Sequence, residues 1–272
     1  MKRSAILIGA FALLILPSLL GTRHSPLASA QDDEKKLKLR WYGQSMFQLE
    51  TSGGKLVVFD PHVIPVFAPP RLTADVTLVS HPHNDHDQVD TLKAKGRDFY
   101  GVKAAGKGLK QDWNPVEETI GAIKIRNLGT FHDPVNGMQR GKNSVWIVEA
   151  DGLTFCHLGD LGHELTEAQV KAIGKVDVLM VPVGGIYTIN GDQAKAIVKQ
   201  IKPRLYVLPM HYGVPEYDDI LGPDEFLGGQ KNVQKLPGTN ELVIPADMKA
   251  DAPTVVLLGW KAKEDKKEPE KK

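Results

Sequence analysis

Short apolar runs separated by turn-forming residues dominate the first part of this chain. Each run is rich in Leu, Val, Ile, Phe or Trp and has the length of a β-strand. The runs lie at 37–42, 46–50, 55–59, 76–79, 123–128, 144–149 and 153–156. Ser52-Gly53-Gly54 and Ala150-Asp151-Gly152 each separate two consecutive runs, so both predict hairpin turns.

Helical and strand patterns alternate in the second part of the chain. Thr166 and Gln169 have capping-box spacing, which predicts a short helix that stops near Gly174. Asp192 is placed to cap a second helix, whose apolar positions recur with helical spacing until Pro203 ends it. Buried strands are predicted at 177–181, 205–208 and 254–258. The pattern favours an α/β (α+β) fold with two sheets sharing one core and helices outside.

The two ends of the chain differ in composition from its centre. Lys2 and Arg3, an apolar run over 5–20 and the small residues 28–30 are typical of a secretory signal peptide. An uncleaved anchor is the alternative, although the run is short for a span and Pro17 interrupts it. The predicted organisation is a signal peptide over 1–30, a flexible leader over 31–36, one domain over 37–260 and a disordered charged tail over 261–272. The protein is therefore expected to be exported by a bacterium, periplasmic or secreted, without a stable membrane span after cleavage.

Charge and cysteine content exclude some classes of protein. The formal net charge is +1, and cleavage after residue 30 would remove Lys2, Arg3 and Arg23 and no acid, which leaves −2. A near-neutral chain argues against a large nucleic-acid footprint. Cys156 is the only cysteine, so no intramolecular disulfide can form. We expect Cys156 to be a small buried hydrophobe, with a zinc thiolate as the lesser alternative.

Four potential metal ligands crowd into the segment after the run at 76–79, in the order His-x-His-x-Asp-His. Three more potential ligands follow other strand-like runs, so side chains from neighbouring strand ends can converge on one point. The proposed set is His81, His83, Asp85, His86, His132, Asp160 and His211. Imidazole and carboxylate groups so arranged can hold two divalent cations with water between them, which is a source of nucleophile for hydrolysis.

With these residues in place, the chain resembles the metallo-β-lactamase superfamily of metal-dependent hydrolases from about Leu37 to Trp260. The signature at 81–86, followed in order by a later His, Asp and His, carries the likeness. Asp60 matches an early strand-end aspartate of the superfamily. Segments 41–45, 158–162, 182–188 and 209–212 are similar to the branch that contains ascorbate-phosphate lactonase. The resemblance implies a four-layer αββα sandwich.

The resemblance also implies roles for individual residues. Two divalent ions are expected, Zn²⁺ first and Mn²⁺ or Fe²⁺ as alternatives. The first would be bound by His81, His83 and His132, and the second by Asp85, His86 and His211, with Asp160 bridging. Asp85 and Asp160 are the expected catalytic residues, because Asp85 could also hold the nucleophile or shuttle a proton. Residues expected behind the ligands or facing the substrate are Asp60, His62, His163, Tyr187 and Tyr212.

The predicted function is hydrolysis of a small-molecule substrate, in which metal-bound hydroxide attacks an ester, lactone or phosphoester bond. A metal-binding protein of the same fold without turnover is the alternative, and a broad substrate screen would separate the two. A β-lactamase is disfavoured, because the second-metal pattern contains no cysteine. The turn at Gly53 and Gly54 is also short for a substrate flap.

Overall fold

A computed structural model of the protein describes residues 36–103, 111–245 and 247–261. The described residues all belong to one compact unit. The predicted signal peptide, residues 31–35 of the leader and residues 262–272 of the tail lie outside the described residues, and Lys36 opens the first strand. None of the helices in the described ranges is long and apolar enough to cross a membrane.

Strands make up most of the regular structure, as the apolar runs predict. The first eight are β1 Lys36–Trp41, β2 Phe47–Glu50, β3 Leu56–Phe59, β4 Thr73–Val79, β5 Ala94–Tyr100, β6 Val102–Lys103, β7 Asp112–Trp113 and β8 Glu117–Ile120. The next eight are β9 Ile123–Phe131, β10 Lys142–Ala150, β11 Leu153–His157, β12 Val178–Pro182, β13 Tyr206–Met210, β14 Val233–Leu236, β15 Glu241–Pro245 and β16 Thr254–Leu258. The helices are α1 Glu167–Ile173, α2 Gly191–Ile201 and α3 Asp224–Leu227.

Two large sheets share one core. One sheet has the order β15-β1-β2-β3-β4-β5, the other has the order β14-β16-β13-β12-β11-β10-β9-β8, and β6 and β7 form a small ribbon. Successive side chains of a strand point to opposite faces of the sheet, so Val57 and Phe59 of β3 lie in the shared core, while Val58 packs in a smaller cluster on the opposite face. That smaller cluster includes Leu92, next to a 3-10 turn at Val89–Thr91. Strands β12 and β13 are buried along their whole length, as parallel strands covered on both faces are.

The helix starts agree with the sequence prediction at one helix and not at the other. At α1 the capping box of Thr166 and Gln169 is confirmed, and Gly174 is the C-cap. The prediction that Asp192 caps α2 is wrong, because the side chain of Asn190 accepts the hydrogen bond from Gln193 N and Asp192 lies in the first turn. The segment 214–238, for which the sequence pattern predicted no helix or strand, contains α3 and β14.

The sheet topology brings several strand ends to one edge. Strands β3 and β4 are parallel, so the residues that follow them, Asp60 and the segment 80–86, leave the sheet side by side. Strands β9, β11 and β13 of the second sheet point the same way, because β10 is antiparallel to both β9 and β11 and β11–β12–β13 are parallel. The two sets of strand ends supply all the proposed ligands.

Candidate metal centre

The seven proposed ligands lie together at this edge. They form two groups, and within each group the ligand atoms lie within 4.8 Å of one another. The first group is His81, His83 and His132, and the second is Asp85, His86, Asp160 and His211. Loops at the ends of four strands supply them, so the site assembles only when both sheets are in place.

One carboxylate oxygen of Asp160 is the centre of the arrangement. Asp160 Oδ2 lies 3.1 Å from His86 Nε2, 3.2 Å from His132 Nε2, 3.2 Å from His211 Nε2 and 3.8 Å from His81 Nε2. Because these imidazoles come from both groups, Asp160 is the residue that joins the two. His81 Nε2 and His83 Nδ1 are 3.0 Å apart within the first group.

The donor atoms fit divalent metal ions. Ligands about 2.1 Å from a tetrahedral zinc ion are about 3.4 Å apart, close to the spacings between these donors. His86 Nε2 is buried and makes no well-formed hydrogen bond within the described part of the chain, although Asp85 Oδ2 lies 3.3 Å away. Such an orphaned nitrogen is costly unless a cation or proton satisfies it. Nitrogen donors completed by carboxylate oxygens suit zinc, manganese or iron.

Asp60 and Ser80 fix which nitrogen of two histidines faces the cluster. His86 Nδ1 lies 2.9 Å from Asp60 Oδ2, and the Ser80 hydroxyl donates to the same oxygen at 2.7 Å. Since the single hydroxyl proton of Ser80 is used by Asp60, His81 Nδ1 must be the donor in its 2.9 Å contact with Ser80 Oγ. In their neutral forms both histidines therefore present an Nε2 lone pair to the cluster, the tautomer that a metal ligand needs.

Four further residues that the sequence analysis did not single out hold the cluster. Gln44 Nε2 donates to Asp85 at 2.8 Å, and Ser45 Oγ donates to Asp160 Oδ1 at 3.4 Å. Asn143 Oδ1 accepts from Asp160 N at 3.0 Å. Together with Ser80, these residues have small hydroxyl or amide side chains that form no recognisable sequence pattern. The only signal in the sequence was that Gln44 and Ser45 lie inside segment 41–45.

Backbone strain is concentrated here as well. Gln44, Asp60 and His211 have positive φ angles of 47°, 43° and 49°. Residues other than glycine rarely adopt this conformation, and it persists only where surrounding contacts enforce it. Because three residues around one cluster adopt this strained backbone conformation, we infer that the fold gives up some stability to place their side chains.

The electrostatics of the cluster favour bound positive charge. Burial lowers the pKa of His81 well below its usual value, and the neighbouring His86 lowers it further. Burial also opposes protonation of His86, but the Asp160 and Asp85 carboxylates outweigh it and raise the His86 pKa well above the ordinary value. Burial raises the pKa of Asp160, yet the facing imidazoles of His211 and His86 bring it well below the usual range. A cation held here would take the place of the proton on His86.

The other predicted site residues lie in different surroundings. Both ring nitrogens of His62 are used locally, with Ile64 N donating to Nδ1 and Nε2 donating to the Gly43 carbonyl. Burial lowers the pKa of His62 to about 4, so it is a neutral brace of its loop. His163 accepts from Phe131 N at 3.1 Å, immediately before His132. His157, the last residue of β11 and not a predicted site residue, is buried and contacts the Ser45 carbonyl at 2.8 Å.

The two tyrosines predicted for the site lie in different surroundings. Tyr212 is buried and stacks on Trp41 with ring centroids 5.0 Å apart, and burial raises its pKa. Tyr187 is 46 % exposed and lines a cavity of about 340 Å³ above the cluster. The cavity is lined by His83, Asp85, His132, Arg140, Asp160, Tyr187 and His211. Arg140 was not a predicted site residue, since nothing in the sequence places it beside the ligands.

Comparison with known proteins is consistent with this geometry. The family described as Beta-lactamase superfamily domain matches residues 38–211. A UPF0173 protein of Pyrococcus furiosus is 33% identical over 210 residues, which cover 73% of this chain and 91% of that protein. A UPF0173 metal-dependent hydrolase of Thermococcus onnurineus is 30% identical over 193 residues, covering 65% and 84%.

A solved structure has the same fold. It is a crystal structure of a candidate zinc-dependent hydrolase of the metallo-β-lactamase superfamily from Thermotoga maritima, with 35% sequence identity and a TM-score of 0.64. The alignment covers 82% of this chain and 98% of that one. The predicted fold class and superfamily are thereby confirmed, while the likeness to the lactonase branch stays a prediction.

Proposed function

Because this chain belongs to the Beta-lactamase superfamily domain family and is a metal-dependent hydrolase of the metallo-β-lactamase fold, we propose that it is an exported enzyme with two divalent metal ions. Its substrate is a small molecule with an ester, lactone or phosphoester bond. Zinc is the favoured ion, since imidazole nitrogens outnumber the carboxylate ligands.

One observation carries the proposal of two ions, and it is the position of Asp160. Its Oδ2 atom lies within 3.8 Å of Nε2 atoms from both ligand groups, those of His81 and His132 in the first and those of His86 and His211 in the second. A single-ion site would not need two separate groups of converging donors around one carboxylate. Asp160 would bridge, because a carboxylate has two oxygens and its charge reduces the repulsion between neighbouring cations.

The residues of the chain divide the work of the reaction. When bound, the cations would acidify a water held between them and polarise the bond to be broken. Asp85 is half-buried, lines the cavity and is fixed by Gln44, so it is placed to orient that water and to pass a proton to the leaving group. Burial favours its protonation, but the His86 charge keeps its pKa below the ordinary value, so the carboxylate is ionised, as a metal ligand must be.

Export is proposed from the first 30 residues alone. Their basic start, apolar run and small residues before Gln31 are the features of a cleaved secretory signal. A periplasmic or secreted hydrolase would meet a small-molecule substrate outside the cytoplasm. Cell fractionation of the full chain, with the mature N-terminus read by mass spectrometry, tests this part separately.

A protein that binds metal without turnover is the second candidate. One observation favours it, which is that every residue of the two ligand groups can bind metal and none is needed only for turnover. The complete ligand set and the open cavity above it favour the enzyme.

The test combines metal content with a substrate screen. We expect the purified full chain to hold about two transition-metal ions and the His81→Ala, His83→Ala double variant, which removes two ligands of the first group, to hold at most one. His163→Gln is the control histidine, and it should keep both ions. Wild type and Asp160→Asn are then assayed on esters, lactones and phosphodiesters. Turnover absent from Asp160→Asn supports the enzyme, whereas metal without any turnover supports the binding protein, and a chain that takes up no metal contradicts both.

A further inference from the structure

Arg140 is the one cation that lines the cavity above the cluster in the described part of the chain. It is half-buried, and its guanidinium stands 5.6 Å from the centre of the Tyr187 ring. Its Nη2 atom donates to the Ile186 carbonyl at 3.1 Å, and Nη1 makes a long contact of 3.4 Å with Gln139 Oε1. The ring and the carbonyl therefore hold the guanidinium plane at the mouth of the cavity.

The loop that carries Arg140 is tied to the ligand strand. The carboxylate of Asp133, directly after His132, accepts from Val135 N, Gly137 N, Gln139 N and Arg140 N at 2.7–2.9 Å. Four charge-assisted hydrogen bonds to one carboxylate leave the loop little freedom. The backbone of Arg140 is thus fixed relative to His132, and its side chain has a defined place above the cluster.

The charge of Arg140 has no acidic partner. Within the described residues, no carboxylate forms an ion pair with it, and three of its five N–H donors make no hydrogen bond. A half-buried guanidinium with free donors favours a planar anion, which it can bind through two parallel hydrogen bonds. Two bound divalent cations would outweigh the cluster's two carboxylates, so the whole cavity would attract negative charge.

We propose that Arg140 is a specificity-determining residue that binds an anionic group of the substrate, a carboxylate or a phosphate, while the bond to be cleaved lies over the cluster. This inference rests on the proposed function for the position of the scissile bond. Neutral esters and lactones of the same size would then be poorer substrates than acidic ones.

The test measures binding, so it does not depend on knowing the substrate. Calorimetry compares glutarate, which has two carboxylates, with valerate, which has the same number of carbons and only one. A third probe, 4-phosphonobutyrate, replaces one carboxylate of glutarate by a phosphonate and keeps the three methylene groups. Each is titrated into metal-loaded wild type, Arg140→Gln, Arg140→Lys and the control Arg97→Gln. Arg97 lies on β5, pairs with Glu118 at 3.2 Å and is not part of the cavity.

We expect Arg140→Gln to weaken glutarate or phosphonate binding about tenfold, which is about 1.4 kcal/mol, and to change valerate binding by less than about twofold. Arg140→Lys should lose part of that affinity, because it keeps the charge and not the planar fork. Arg97→Gln should match wild type. If Arg140→Gln weakens glutarate binding more than phosphonate binding, the anion is a carboxylate. If it weakens phosphonate binding more, the anion is a phosphate.

Equal weakening of all three probes, or no difference between Arg140→Gln and Arg97→Gln, would overturn the inference. If the chain takes up no metal, the same titrations are made on the metal-free protein. A loss of glutarate or phosphonate binding in Arg140→Gln would then support the anion subsite while the proposed function fails. Unchanged binding of both probes to the metal-free Arg140→Gln variant would overturn the anion subsite as well as the proposed function. A substrate pair of mono-p-nitrophenyl glutarate and p-nitrophenyl valerate gives the matching comparison of kcat/KM.

Discussion

Gln44 donates a hydrogen bond of 2.8 Å from its side-chain amide to the Asp85 carboxylate, across 41 positions of sequence. Its backbone carbonyl accepts from His211 N at 3.0 Å and from Trp41 Nε1 at 3.0 Å. One buried residue with a left-handed backbone therefore places two proposed ligands of the same metal ion. Gln44 is a positioning residue, since it touches the ligands and does not line the cavity.

Replacing Gln44 by Met keeps the side-chain length and removes the hydrogen bond to Asp85. We expect the affinity for one metal ion to fall about 10- to 100-fold, as for other groups that orient ligands. The affinity for the other ion should change little. Competition with a chelator measures both affinities, and Gln48→Met, a buried glutamine that donates to the Thr73 carbonyl, is the control. Equal metal affinities in the two variants would contradict the role.

Asp60→Asn tests the group that sets the histidine tautomers. Asp60 accepts from Ser80 N, Ser80 Oγ and His86 Nδ1, and an amide has only one acceptor oxygen for these donors. We expect metal affinity to fall about 10- to 100-fold and the thermal midpoint of the metal-free protein to fall too. Asp75→Asn is the control, because Asp75 lies on β4 and its carboxylate accepts from Lys55 and Leu56 N. Unchanged metal affinity in Asp60→Asn would show that the tautomers are set elsewhere.

Asp133→Asn should loosen the loop that carries Arg140. Burial raises the Asp133 pKa, but its backbone hydrogen bonds, first that from Arg140 N, lower the pKa below the usual value. Because the pKa of Asp133 is lower in the folded than in the unfolded protein, its ionised carboxylate stabilises the fold at every pH above the unfolded pKa of 3.8. This contribution is lost as the pH falls through the pKa of the folded state. The difference in thermal midpoint between wild type and Asp133→Asn should therefore be large at pH 7 and shrink below about pH 4. A difference that does not depend on pH would contradict this account.

Gly162→Ala should disturb the position of His132. A methyl group at residue 162 would fall on the backbone between His132 and Asp133, whose atoms cannot move aside as a flexible side chain could. We expect a loss of about 1–3 kcal/mol in the free energy of unfolding and weaker metal binding. Gly53→Ala is the matched control, because its added methyl would meet only Thr51 Oγ1 at 3.9 Å. Denaturant unfolding of both variants, with and without metal, measures the effect, and similar losses in the two would count against it.

Cys156 should play no part in metal binding. It is fully buried on β11, outside both ligand groups, and burial raises its thiol pKa to about 12. We expect no reaction with a thiol reagent in the folded protein and about one equivalent after denaturation. Cys156→Ala should keep the metal content of wild type. Loss of metal in that variant would revive the zinc-thiolate alternative.

Local patterns in the sequence were sufficient for much of this protein. Alternating and continuous apolar runs located β1 to β4, β9 to β13 and β16 to within a few residues. The α1 capping box and the Asp151-Gly152 turn are each complete within four residues, so the sequence contains all the partners they need. The proposed ligands were found for a related reason, since each follows a recognisable strand and imidazole-rich spacing is rare by chance.

Tertiary structure alone decided which strands pair at the edges and which groups surround the ligands. Strand β5 is largely exposed and polar, so its extended form depends on pairing with β4, and β15 depends on β1 about 200 positions away. Ser45 meets Asp160 across 115 positions, and Arg140 faces the cavity only because Asp133 folds its loop back. Tyr187 and Tyr212 looked equivalent in the sequence, yet one lines the cavity and the other is packed on Trp41. Local periodicity reports whether a residue is buried or exposed, whereas long-range pairing determines which distant group it meets.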